Sequence, residues 1–177
     1  MIQKRAFTWM AIIFCSITVS AQKGNNGIAA GFEAGIPFGD FADFRKGPGI
    51  YGKALIGVGA SGQVTLSAGY SSYNAKGSSR EFKERTRIET VLAGYRFNTH
   101  GLYVEPQIGR GTYRLITKVQ SGSTSTKTVD SKGSLTWALG GGLKVGRIDL
   151  GARYQHGAPA GSGVSLFGLH AGYQLPF

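Results

Sequence analysis

Cysteine is almost missing from this sequence: among 177 residues the one example is Cys15, in the N-terminal segment. Disulfide scaffolds and thiolate metal centres are therefore excluded for everything downstream. Proline is scarce at five residues, so the chain is not a Pro-rich linker. Acidic residues number nine against 20 basic ones, and charged residues together reach only 16%. Soluble domains typically carry ~25%. Long apolar runs are missing too. The apolar stretch Ala6 to Val19 spans about 14 residues, where a membrane-crossing helix needs about 20. Beyond it, no segment repeats apolar residues at helical spacing, which removes the helical classes. No metal-ligand cluster, P-loop or dinucleotide fingerprint occurs, so no cofactor is expected.

What is present begins with a leader. Lys4 and Arg5 precede the apolar stretch and Val19-Ser20-Ala21 closes it, the three regions of a secretory signal peptide with cleavage after Ala21. Residues 1–21 are read as signal peptide and 22–177 as one domain. Phe14 stands before Cys15 where lipoprotein processing would need a small residue, and cleavage removes Cys15 with the leader.

Glycine is abundant, at 29 residues. Eight strands are predicted, at 28–37, 49–60, 63–73, 86–97, 102–116, 134–146, 148–156 and 164–177. Most approach or exceed the ~9–11 residues of a tilted membrane-spanning strand. Their connections alternate between tight turns and longer polar segments, the longest being "ITKVQSGSTSTKTVDSKG". Along the strands one face is bulky and apolar: Val64, Leu66 and Tyr70, or Leu135, Trp137 and Leu139. The other mixes glycine with polar and charged residues. A soluble barrel would turn the apolar face inward. The glycine-rich face would dress a water-facing surface poorly but suits a narrow lumen, so the apolar face is read as outward. Ala-Gly-aromatic recurs at Phe32, Tyr70, Tyr95 and Tyr173, each time with glycine inward and the aromatic outward.

The signal peptide, eight strands and loop pattern resemble the OmpA/OmpX-type small outer-membrane β-barrels, in the "porin family" or "outer membrane protein β-barrel domain" form common in Bacteroidota. The resemblance covers essentially all of 22–177. It implies an all-β, eight-stranded antiparallel up-and-down transmembrane barrel in the cell outer membrane, its termini on the periplasmic side. Its sharpest motif is the last strand, "HAGYQLPF". His170, Gly172, Leu175 and Phe177 match the family's terminal spacing, which implies recognition by the barrel-assembly machinery. Pro176 departs from that pattern, because it removes a ladder donor at the closing seam.

Eight strands enclose a lumen that side chains fill, which argues against a general pore. The inward face is predicted to carry Glu33, Lys53, Arg96, Glu105, Lys144, Asp149, Arg153 and His170, a plug of mutually paired charges in which Glu33 meets Lys53 across the first two strands. The histidine–serine spacing of barrel deacylases is missing at His100, His156 and His170, and the Asp130-Ser131 pair falls in a polar loop. No enzyme activity is expected. The net charge is +11, of which Lys4 and Arg5 of the leader contribute two. Much of the excess lies in two loops: Lys76, Arg80, Lys83, Arg85 and Arg87 in one, Lys118, Lys127 and Lys132 in the other. Basic outward loops suit lipopolysaccharide phosphates or other anionic surface polymers, and an extracellular ligand there is an open reading. Nucleic-acid binding has no stacking platform to support it. The expected role is structural, adhesion-like or envelope-interacting. The alternatives are a small subunit of an envelope secretion or assembly complex, a lipid A-modifying barrel, or a narrow channel.

Overall fold

A computed structural model describes residues 26–79, 82–121 and 124–177; the signal peptide and Arg80 lie outside the described residues. Eight strands close on themselves in sequence order: β1 (Gly27–Phe38), β2 (Gly47–Val58), β3 (Gly62–Asn74), β4 (Phe82–Thr99), β5 (Leu102–Ser121), β6 (Thr124–Val145), β7 (Ile148–Gly157) and β8 (Val164–Pro176). Every neighbouring pair is antiparallel, and β1 zips to β8 from Gly27↔Pro176 to Phe38↔Ser165. No backbone edge is left open, the one way a sheet survives in hydrocarbon.

One rim is made of tight turns. The turn at His100 and Gly101 has both residues at positive φ, 49° and 88°, as a two-residue primed turn requires. The opposite rim differs from the sequence reading. The segment predicted as the longest loop is a ladder, with β5 and β6 paired out to Ser121↔Thr124. Its Thr, Ser and Lys residues make the segment polar, the mark of a loop, yet its β-branched Thr and Val suit a ladder wet on both faces. Likewise β4 begins at Phe82 and carries residues expected in a loop.

Strand parity sorts the surface. Outward residues on all eight strands are large and exposed, among them Phe32 at 75%, Leu135 at 69% and Leu102 at 61%. A band of this kind is stable against hydrocarbon rather than water. Aromatics cluster toward its edges: Tyr95 packs on Phe97 near the tight turns, and Trp137 and Phe38 flank Tyr154 toward the other rim.

The lumen is filled in two layers. Toward the open rim, Phe41, from the short 3-10 turn after β1, packs with Tyr73, Ile88, Tyr113, Val164 and Leu166. This apolar plug is absent from the sequence reading, which filled the lumen with charge. Inward tyrosines explain part of the glycine content. The Tyr73 ring lies against Gly35 and Gly47, Tyr113 against Gly111 and Gly157, and Tyr51 against Gly31 and Gly172, where a Cβ would collide with the ring. Toward the tight turns the lumen is polar.

Candidate functional site

The polar layer contains a hub. Glu105 on β5 is 2% exposed and receives Lys53 Nζ at 2.8 Å and Arg96 Nε at 2.8 Å on one oxygen. Its other oxygen accepts from Thr65 Oγ1 at 2.9 Å and Gln107 Nε2 at 2.8 Å. Arg96 reaches on to Asp149 at 2.9 Å and lies 3.7 Å from the centre of the Tyr103 ring. Asp149 accepts from the Tyr103 hydroxyl at 2.6 Å, and that hydroxyl lies 2.9 Å from His170 Nε2. His170 itself stands 3.7 Å from Asp149. Two cations thus face two anions within one connected set. A second pair, Arg153–Glu33 at 2.8 Å, completes the layer.

Seven of the eight charged or histidine residues predicted for the interior are therefore brought together. Lys144 is half-buried on β6 and takes part in none of these ion pairs. The expected Glu33–Lys53 contact does not form. Glu33 is opposite Gly49 and Lys53 is opposite Ala29, a separation of four residues along the ladder, roughly 13 Å at strand rise. Glu33 instead reaches Arg153 across β8. The intervening residue is Gly168, and a Cβ there would sit 2.8 Å from the Glu33 carboxyl carbon. Thr65 lies on the polar face that parity turns inward; Tyr51, Tyr103 and Gln107 are not in the predicted set, although Tyr51 shares the parity of Lys53, and Tyr103 and Gln107 that of Glu105. The signal is parity, which the predicted set applies only to charged residues and histidine. Two gaps of about 10 Å³ remain among these side chains, space for about one water each.

At the seam, His170 and Gly172 face inward and Leu175 and Phe177 outward, the last at 73% exposure. Pro176 holds its place opposite Gly27, and the Phe177 N–H bonds Asn26 O at 3.1 Å. Alternation turns the proline nitrogen toward β7, whose ladder with β8 already ends where Gln174 N–H meets Arg147 O. The missing donor costs no bond there.

The basic residues expected in loops gather beyond the apolar band. A cleft of about 530 Å³ is lined by Lys83, Arg85 and Arg87 of β4, Lys118 of β5, Lys127 of β6 and Arg45, with Glu84 as its acidic member. Arg85 Nε is held by Asn74 Oδ1 at 2.9 Å. Lys132 instead meets Asp130 at 3.4 Å, and Lys76 sits in the β3–β4 connection.

The structure also pairs His156 Nδ1 with Ser165 Oγ at 3.0 Å across β7 and β8. Spacing along one strand could not reveal this pair. Among the described residues no carboxylate lies within ion-pair distance of the His156 ring.

A closed eight-stranded up-and-down barrel with an apolar outer band and a filled lumen has the architecture of the small outer-membrane β-barrels. Solved structures of that class share the fold. Ail, the attachment invasion locus protein of Yersinia pestis, solved with the heparin analogue sucrose octasulfate, superposes with TM-score 0.65 at 18% identity over 87% of this chain and 100% of that one. The N-terminal β-barrel domain of Pseudomonas aeruginosa OprF gives 0.55 at 14% identity, over 86% and 100%. Neisserial surface protein A gives 0.51 at 18% identity, over 86% and 97%. No protein-family model matches the chain, and no curated protein is similar to it in sequence.

Proposed function

We propose that this chain is a non-enzymatic barrel of the outer membrane whose exposed basic rim engages anionic surface glycans, an envelope-interaction or adhesion-like role. The observation that carries this reading is the cleft of about 530 Å³ with six basic residues and one acidic residue in its lining. Such a concentration of one sign raises the local density of polyanions and speeds their encounter. The apolar band supports residence in a bilayer. Orientation then follows from the tight turns, which face the periplasm in barrels of this kind. The likeness to Ail, crystallised with a heparin analogue, is in keeping with a polyanion-binding rim. The charged layer in the lumen is assigned a structural role: its charges are balanced and hydrogen-bonded, and the gaps beside them hold about a water each.

The test is binding by the barrel folded into neutral nanodiscs. A sulfated polysaccharide and lipopolysaccharide should bind and weaken as salt rises, while uncharged dextran should not bind. Absence of polyanion binding at physiological salt would overturn the reading.

A further inference from the structure

Three lysines stand directly opposite one another on the projecting ladder. Lys83 is the register partner of Lys118, and Lys118 is the partner of Lys127. At a strand spacing of about 4.8 Å, this row crosses three strands within roughly 10 Å of backbone. Like charges placed opposite each other weaken a ladder. Two other cations of the same hairpin are answered: Arg114 by Glu89 at 3.2 Å and Lys132 by Asp130 at 3.4 Å. Among the described residues, no carboxylate lies within ion-pair distance of the three lysines. A little closer to the band, Arg87 lines the same cleft, and its Nε is shut off from solvent with no hydrogen-bond partner.

The row also has a definite address. Lys83, Arg85 and Arg87 share the outward parity of Val91, and Lys118 and Lys127 share that of Ile108 and Leu135. The cleft therefore opens on the lipid side of the sheet, directly above the apolar band, rather than into the lumen. Below it on the same face, Arg110 extends over Gly133, where a Cβ would come within 2.8 Å of its guanidinium. Long basic side chains at the edge of an apolar band reach for headgroups.

We infer that the Lys83–Lys118–Lys127 row, with Arg87 beneath it, is a site for the clustered phosphates of a glycolipid in the outer leaflet around the barrel. The inference rests on the polyanion reading above and names its ligand as part of the membrane rather than a soluble polymer. An anion bridging adjacent ammonium groups removes the repulsion that the bare ladder carries. This accounts for a row that folding alone disfavours.

The experiment compares urea unfolding midpoints in nanodiscs containing bisphosphorylated lipid A, its dephosphorylated form, or neutral phospholipid with soluble inositol hexakisphosphate. Wild type should be stabilised by the bisphosphorylated lipid over the dephosphorylated one. The variant Lys83→Gln/Lys118→Gln/Lys127→Gln should lose that shift while being at least as stable as wild type in neutral lipid. Lys118→Gln alone, should the triple variant fold poorly, should lose most of the shift. Lys46→Gln, on an exposed residue outside the cleft, should keep it. A full shift in either row variant would overturn the site and leave the broader polyanion reading standing. Stabilisation by the soluble phosphate but not by the lipid would overturn the membrane source. Failure of every polyanion to act on wild type would remove both readings.

Discussion

Replacing Glu105 with leucine is the most informative perturbation of the lumen. It leaves Lys53 and Arg96, with side chains 8% and 1% exposed, facing only Asp149. Breaking one partner of a buried ion pair typically costs ~3–5 kcal/mol. Thr65 and Gln107 lose an acceptor as well, at about 1 kcal/mol each. Replacing Lys53 with methionine in the same chain restores neutrality, because Arg96 keeps Asp149. The double variant should then lose little beyond the two orphaned hydrogen bonds. The cycle should return a coupling of about 3 kcal/mol, at the top of the range for groups in contact. Urea unfolding from lipid vesicles measures it. Trp137, on the lipid-facing side of β6 and 43% exposed there, reports transfer out of the bilayer by fluorescence. The cycle between Glu33 and Lys53 is the control and should show coupling near zero, since these residues do not pair. Coupling below ~0.5 kcal/mol for Lys53 and Glu105, together with stepwise conductance in planar bilayers that follows the mutations, would refute the balanced plug and make the lumen a channel.

Gly172→Val should destabilise the seam by about 1–3 kcal/mol through overpacking, because its Cβ falls on the Tyr51 hydroxyl; trimming the ring with Tyr51→Ala should recover part of the loss, and no recovery would count against the socket. Deleting Phe177 should slow assembly and leave unfolded chain to periplasmic proteolysis, and normal yield in the outer-membrane fraction would remove the assembly role of the terminal residues. Expressed in a Gram-negative host, the chain should be cut after Ala21, fractionate with outer membranes and migrate differently in detergent gels before and after boiling. A soluble product without that shift would overturn the membrane assignment.

The sequence by itself determined what period-2 alternation can carry: eight strands, which face is apolar, and which charges point inward. Parity is a local property, so Arg96, Glu105 and Asp149 could be assigned to the lumen one strand at a time. Their partners could not, because pairing depends on register and on the stagger that closes the barrel. That stagger carried Glu33 past Lys53 to Arg153 and made Glu105 the hub. The apolar plug was also illegible, since Phe41 comes from a turn folded into the rim and its neighbours Tyr73 and Tyr113 need glycines on other strands to receive them. The row of lysines was visible as charge but not as geometry. Lys83, Lys118 and Lys127 are scattered along the sequence, and only cross-strand hydrogen bonding sets them side by side.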